Sequence, residues 1–492
     1  MMINALIFVS FLAALVPFSF TRPEHTTRAA SIASTVVFAL SLLVGVPVLL
    51  GAGPVAWGSV WYVDSFAALL VVLIGTVQWT ATLASRPFLL EEVRAGVVAK
   101  PLVRRYYVLL ALFVLAMLVT VVSDNLGLMW VALEATTLAT TFLVAFYARS
   151  SSLEAAWKYL ILCSTGIALG FIGLLLASAA ASQSGVISAL TGLRWSTLSL
   201  GAAAFSPSMM RFAFVFALVG FGTKVGLAPM HTWLPDAHSS APAPISALLS
   251  GVLLNAALFA VLRYKVLTDA ALGSSGFTDG LLLAFGTLTL VVAAAFILTQ
   301  TDYKRLLAYS SMEHMGFMVL AFGLGPVGAV AAVVELIGHA LAKSMLFLGA
   351  GNILVRFHST KFARVADVRR VLPFTGALFF AGILMLLAVP PSPLFVSEYL
   401  TIAAGIGTHP FVIAVALLAF VVILAGFIRL IVPFLFGSES AEQPEHPVVR
   451  GEAWNISHAA MVLHLVLLVG FFGLIISGAA LPLVERVAAL FS

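Results

Sequence analysis

Apolar runs of about eighteen or more residues recur along the whole chain, the length a helix needs to cross the hydrocarbon of a bilayer. Inside hydrocarbon every backbone N–H and C=O must be satisfied by the protein itself, which leaves helices or a closed barrel. Barrel strands would be about half this length and strictly alternating, and that alternation is absent. Apolar residues make up 62% of the 492 and charged residues only 9%, more apolar surface than a soluble core can use. The chain therefore reads as an all-α integral membrane protein without a soluble domain. Fourteen transmembrane helices are predicted, at roughly 3–20, 30–51, 64–85, 106–123, 125–147, 154–180, 209–229, 241–264, 279–299, 306–325, 327–354, 374–404, 410–436 and 455–480. No Lys or Arg precedes Ile3–Phe20, so this first run reads as a retained span and not a cleaved signal.

The charged residues give an orientation. The longest predicted loops are Arg86–Arg105, Ala181–Ser208, Arg356–Pro373 and Gly437–Ala453. Odd-numbered loops with their adjoining span ends hold 17 of the 25 Lys and Arg, even-numbered loops with theirs four: Arg194, Arg211, Arg263 and Lys265. By the positive-inside rule the odd loops are cytoplasmic and both termini lie outside. The net charge of +5 does not point to nucleic acid, because the basic residues are scattered over short loops. Cys163 is the single cysteine, which excludes an intrachain disulfide and a Cys-based iron–sulfur or zinc site.

Lys224 lies in an apolar run, five residues before Pro229. A lysine near the middle of a spanning helix costs about 2.5–3.5 kcal/mol on insertion scales, so it needs a partner, water or a function. Pro229 has no N–H and is expected to leave the carbonyl of Val225 without its helical bond. A second broken helix is expected in span twelve at Pro390, Pro391 and Pro393, followed by Glu398. Transporters hold ions at membrane depth beside such breaks. Glu134 precedes Lys224 by 90 residues, and Glu313 precedes Glu398 by 85. Each pair spans the same number of helices, and an odd repeat of five spans would be inverted in the membrane. The expected division is 1–105 (three helices and a loop), 106–264 and 279–436 (two inverted five-helix repeats) and 455–492 (a last helix).

Glu134 sits near the centre of span five, either as a structural carboxylate or on an ion path. Glu335, His339 and Lys343 stand at i, i+4 and i+8 in span eleven, one stripe with steps of about 6 Å along the axis. Acid, imidazole and amine in line suit a proton wire, histidine being the group that ordinarily titrates nearest neutrality. The competing reading is a polar stripe that joins helices. Glu313 and His314, early in span ten, are either an interfacial pair or the mouth of a path. Asp64, Asp124, Lys304 and Arg305 lie near span ends and read as anchors. His231, Asp236 and His238 share a short loop with Pro235 and lack a metal-binding motif, so no metal is assigned to them. Gly323-Leu-Gly325-Pro-Val-Gly328 matches a dinucleotide fingerprint in letters only, since no strand precedes it.

These residues give the chain a resemblance to the antiporter-like proton-translocating subunits of respiratory complex I, of multisubunit cation/proton antiporters and of group-four hydrogenases. It is densest in FGTKVGLAPMHTWLPDAHSSAPAPISALLSGVLLN, TDYKRLLAYSSMEHMGFMVLAFGLG and HALAKSMLFLGAGN, and the glutamate in SMEHMG is most similar to the hydrogenase-four F-type subunit. Glu134 and Lys224 match the family's glutamate–lysine pair, and His339 and Lys343 match its central polar axis. Glu398 matches the acidic or lysine position of its second broken helix. Asn255 stands where the eighth span often carries lysine. Asparagine does not titrate, so a relay from Lys224 to His339 would need water, ordered by Ser246, Ser250 and Asn255. The resemblance implies a subunit with no catalysis and no cofactor or metal of its own, moving protons or sodium ions across a bacterial or archaeal cell membrane. Implied partners are other antiporter-like and membrane-anchor subunits, and peripheral redox subunits with iron–sulfur clusters and a nickel–iron or quinone site. A cation/proton antiporter subunit without a redox partner and a non-conducting scaffold remain as alternatives.

Overall fold

The structure, a computed structural model, describes residues 2–185, 193–437 and 451–491. Helices α1 (Met2–Leu15) and α2 (Pro23–Pro47) lead to a short hairpin, β1 (Val55–Trp57) and β2 (Trp61–Val63), with Val55 opposite Val63. Then come α3 (Ser65–Arg94), α4 (Lys100–Val122), α5 (Leu126–Val144), α6 (Ser150–Gln183), the short α7 (Trp195–Gly201), α8 (Pro207–Val225) and α9 (Trp233–Ser240). α10 (Ala243–Leu248) passes through a π turn, Leu249–Leu253, into α11 (Leu254–Leu272). The remainder is α12 (Gly276–Ile297), α13 (Tyr303–Phe322), α14 (Gly325–Phe357), α15 (Val368–Val371), α16 (Pro373–Leu386), α17 (Pro393–Gly405), α18 (Pro410–Phe436), α19 (Ile456–Ile476) and α20 (Leu481–Ala488).

Helix starts follow from residues that satisfy or lack the first orphan N–H groups. Asp64, Asn125 and Asp302 accept backbone N–H bonds at the starts of α3, α5 and α13. Proline, which has no such donor, sits in the first turn of α2, α4, α8, α14 and α16–α18.

Among the described residues, twelve helices are long and apolar enough to cross a membrane. The other two predicted spans are α13, which carries Lys304, Arg305 and Glu313, and the run divided between α16 and α17. α3 continues through Pro87 to Arg94, so the predicted loop 86–105 shrinks to residues 95–99. Part of the predicted loop Ala181–Ser208 and most of Gly437–Ala453 lie outside the described residues.

Connections that the sequence numbers as even meet at one end of the bundle. Asp124 N–H donates to Val60 O, Asp124 pairs with Arg194 at 2.9 Å, and buried Asp64 pairs with Arg263 at 2.6 Å. Odd-numbered connections meet at the other end, where Tyr303 N–H donates to Thr360 O and Asp236 binds both Arg305 and Lys158. Of the residues read as anchors, Asp64, Asp124 and Arg305 are thus ion-paired across connections, and Lys304 donates to backbone carbonyls.

Both expected breaks are present, and the first is set differently from the prediction. Gly226 takes a left-handed φ of 86°, and the N–H groups of Gly226 and Leu227 both return to Gly222 O. The helix therefore ends before Pro229, and the proline lies in the connection to α9. Trp233 Nε1–H closes this connection on Thr223 O at 2.8 Å. In the second break, Ser392 Oγ donates to Met385 O at 2.6 Å and accepts from Leu394 N–H, joining the end of α16 to the start of α17.

The 243–272 run (α10–α11) and α14 lie at the centre and are buried on nearly all sides. α6 and α8 approach closely through Gly166, Gly170 and Gly220. A Cβ on Gly220 would come within 2.4 Å of Gly170 N, so only glycine fits. This contact fixes the register of Ser164 and Lys224. Gly220→Ala should therefore lower the thermal stability of the purified protein by an overpacking penalty of about 1–3 kcal/mol. Gly280→Ala, which meets nothing within 4 Å, should leave the melting temperature unchanged or raise it. Equal melting of the two variants would contradict the packing account.

Candidate functional site

A first polar cluster is built where α5, α6 and α8 meet. Glu134 is half-buried; its Oε1 accepts from Ser164 Oγ at 2.6 Å and its Oε2 from Thr137 Oγ1 at 3.2 Å. Lys224 is 0% exposed, in the last turn of α8, where the helix dipole favours a cation. Its Nζ donates to Leu133 O at 2.9 Å and to Thr137 Oγ1 at 2.5 Å, and lies 6.0 Å from the Tyr159 ring centroid. Among the described residues Lys224 makes no ion pair. Glu134 and Lys224 are joined through the hydroxyl of Thr137.

The second cluster lies between α13, α14 and α17. Glu335, His339 and Lys343 share the buried stripe that their spacing predicts, but their hydrogen bonds run sideways to α13 and not along the stripe. Glu335 Oε1 meets His314 Nδ1 at 2.7 Å. Lys343 Nζ donates to Leu307 O at 2.9 Å and to Ser310 Oγ. The His339 ring is fully buried, with both nitrogens lacking a partner among the described residues, and its centroid is 5.4 Å from that of His314. Glu313 is 5% and His314 2% exposed. Both side chains are buried in the bundle, His314 bonded to Glu335 and beside the ring of His339. Glu398 is half-buried on α17, within electrostatic reach of Glu335 and Glu313.

Polar groups of α10, α11 and α13 stand between the clusters. Asn255 Nδ2 donates to Gly251 O at 2.9 Å, and its buried Oδ1 has no partner among the described residues. Ser250, in the π turn, meets Ser311 of α13 at 2.6 Å. Ser246 Oγ donates to His238 O at 2.8 Å. A π turn widens the helix and is common at functional sites.

At the odd-loop end an open cavity of about 1390 Å³ is lined by charges of both signs, among them Glu92, Asp236, Lys304, Arg305 and Glu452. Lys304 is buried, and its Nζ donates to Ser239 O and Ala241 O. Among the described residues no three His, Cys, Asp or Glu side chains are grouped to hold a metal.

Sequence reasoning missed Thr137, Ser164 and Ser310. Thr137 had a signal, because position i+3 from Glu134 falls on the same helix face. Ser164 and Ser310 act across helix pairs and had none.

Residues 123–424 match the family described as NADH:quinone oxidoreductase/Mrp antiporter, transmembrane. The Hydrogenase-4 component F homolog of Methylacidiphilum infernorum (isolate V4) is 36% identical over 384 residues, 77% of this chain and 80% of that protein. Hydrogenase-4 component B of Escherichia coli (strain K12) is 31% identical over 350 residues. That match takes in 69% of this chain and 50% of the longer relative. A chain in the structure of respiratory complex I from Thermus thermophilus with bound aureothin superposes with a TM-score of 0.75 at 25% identity. The superposition covers 98% of this chain and 99% of that one. With its buried lysines and broken helices in place, the chain belongs to the NADH:quinone oxidoreductase/Mrp antiporter family of transmembrane proteins.

Proposed function

We propose that the chain is the antiporter-like subunit of a redox-driven membrane complex of the hydrogenase-4 and respiratory complex I kind, and that it moves protons across a bacterial or archaeal cell membrane. The observation that carries this reading is the pair of buried clusters, Glu134–Thr137–Lys224 and Lys343–His339–His314–Glu335. They are bounded by two half-buried carboxylates, Glu134 on α5 and Glu398 on α17. Buried ionisable groups inside membrane spans mark ion paths. The path runs from Glu134 through Lys224, past Asn255, to Lys343, His339 and Glu398, with Glu313 and His314 inside it.

A half-buried carboxylate on a flank at membrane depth needs a covering neighbour, and a laterally adjacent antiporter-like or membrane-anchor subunit supplies one. Peripheral subunits would hold the iron–sulfur clusters and the nickel–iron or quinone site. The chain has fourteen crossings, two inverted five-helix repeats over 106–264 and 279–436, and both termini outside. Supporting this topology, odd and even connections gather at opposite ends, and the odd ones carry most of the basic residues. The similarity to a hydrogenase-4 component favours this reading over an antiporter subunit without redox partners.

Lys224→Ala should assemble but lose most ion translocation coupled to turnover, by about tenfold or more. Lys224→Arg should fail as well, because a guanidinium stays protonated. Turnover-coupled acidification in vesicles is the measurement, and normal pumping by an assembled Ala variant would sink the assignment.

His339 makes no hydrogen bond among the described residues, so its removal breaks none. Pumping is normalised to assembled complex, to separate function from the cavity left in the core. His339→Ala should impair pumping more than Glu335→Gln, which retains a bond to His314. If both pump at the parent rate, this cluster only joins helices.

For Glu398, replacement by Gln keeps shape and hydrogen-bonding capacity but removes titration. Assembly should be normal and pumping strongly reduced, with Glu398→Asp retaining a part. Equal pumping by the Gln variant and the parent would make this carboxylate structural.

A further inference from the structure

We infer that Thr137 is a proton-relay residue, through whose hydroxyl Lys224 and Glu134 exchange a proton without direct contact and without an intervening water. This rests on the proton-translocating reading above and specifies how its first charged pair works.

The geometry is that of a relay. A hydroxyl carries one proton and two acceptor lone pairs. Here the proton is given to Glu134 Oε2 at 3.2 Å, and a lone pair receives Lys224 Nζ at 2.5 Å. Thr137 is fully buried, with its own main-chain carbonyl taken by Thr141 Oγ1 at 2.7 Å. The surroundings hold both ends in place. Ser164 Oγ fixes the other carboxylate oxygen at 2.6 Å, and Leu133 O holds a second proton of the ammonium at 2.9 Å. The hydroxyl of Tyr159, whose ring centroid lies 6.0 Å from Nζ, meets Thr140 Oγ1 at 2.6 Å.

The transfer balances without any further reactant. An N–H bond of the Lys224 ammonium breaks as the proton joins Thr137 Oγ1. The original O–H bond of Thr137 breaks as that proton joins Glu134 Oε2. An ammonium and a carboxylate become an amine and a carboxylic acid, and the threonine is a hydroxyl again at the end. Rotation about its Cβ–Oγ1 bond returns it to the starting orientation. Net charge is conserved within the cluster, so the exchange requires no charge to cross the low-dielectric core.

The competing role for Thr137 is an anchor that only positions the lysine, and substitutions separate the two. Thr137→Ser keeps the relay. Thr137→Asn, of nearly equal volume, still accepts from an ammonium and donates to a carboxylate, but its amide does not hand protons on. Thr137→Val keeps shape and removes both bonds. The test is turnover-coupled acidification in vesicles holding the full complex, normalised to assembled complex, in H2O and D2O, with Lys224→Ala in parallel. The inference expects near-parent pumping from Ser and a loss of about tenfold or more from Asn and Val. It also expects a larger solvent isotope effect on the residual flux. Parent-rate pumping by the assembled Asn variant would overturn the relay and leave Thr137 an anchor. If Lys224→Ala stops pumping while both Asn and Val pump normally, the relay fails and the path reading stands. If Lys224→Ala itself pumps normally, the reading beneath the relay fails with it.

Discussion

An ammonium group held away from water needs oxygen partners, and the arrangement around Lys224 and Lys343 follows from that need. Among the described residues no carboxylate touches either lysine. Each reaches across to a neighbouring helix and takes one backbone carbonyl and one hydroxyl: Leu133 O with Thr137 Oγ1, and Leu307 O with Ser310 Oγ. Both carbonyls stay within their helices and are shared acceptors, since Thr136 Oγ1 also donates to Leu133 O and the Ser310 and Ser311 hydroxyls to Leu307 O. The seats therefore cost no secondary structure. They do require α8 to lie at a fixed height against α5 and α6, and α14 at a fixed height against α13.

Glycines set those heights. Gly166, Gly170 and Gly220 bring α6 and α8 into backbone contact, and Gly286 and Gly316 do the same for α12 and α13, which carries the seat of Lys343. Without a hydrophobic drive between helices in lipid, such close approach is how van der Waals contact holds a bundle together. Packing and the polar clusters are thus one design. A shift of α8 along α6 by one residue would move Lys224 by about 1.5 Å and take its Nζ away from Leu133 O.

Much of this was legible in the sequence because charges inside apolar runs are conspicuous. Glu134, Lys224, Glu335, His339, Lys343 and Glu398 all lie within the bundle, and the class of fold followed from the apolar runs alone. Partners were not legible. The i, i+4, i+8 spacing put Glu335, His339 and Lys343 on one stripe, but spacing does not say which neighbour that stripe faces. It faces α13, where His314 and Ser310 take up Glu335 and Lys343. The first break was assigned to Pro229 because proline is the louder signal. Gly226, with its left-handed φ, ends the helix three residues earlier. Serine and threonine hydroxyls are common in membrane helices and carry no charge, so Thr137, Ser164 and Ser310 left almost no trace in the pattern.

The two lysine seats differ in one respect that bears on direction. Thr137 sends its proton to the carboxylate of Glu134, whereas Ser310 donates to Leu307 O of its own helix at 3.2 Å. The first seat is closed on a carboxylate. In the second seat the hydroxyl leads back into the backbone, and the titratable groups around Lys343 include His339 on the same stripe, Glu313 and His314 on α13 and His238 on α9. On the proposed path a proton leaving Lys343 would pass to imidazole or to a more distant carboxylate, and among the described residues the ring nitrogens of His339 have no hydrogen-bond partner. On the proposed path the Lys224 seat thus opens onto a carboxylate, and the Lys343 seat onto its own helix backbone. The difference arises from where a single hydroxyl points its hydrogen.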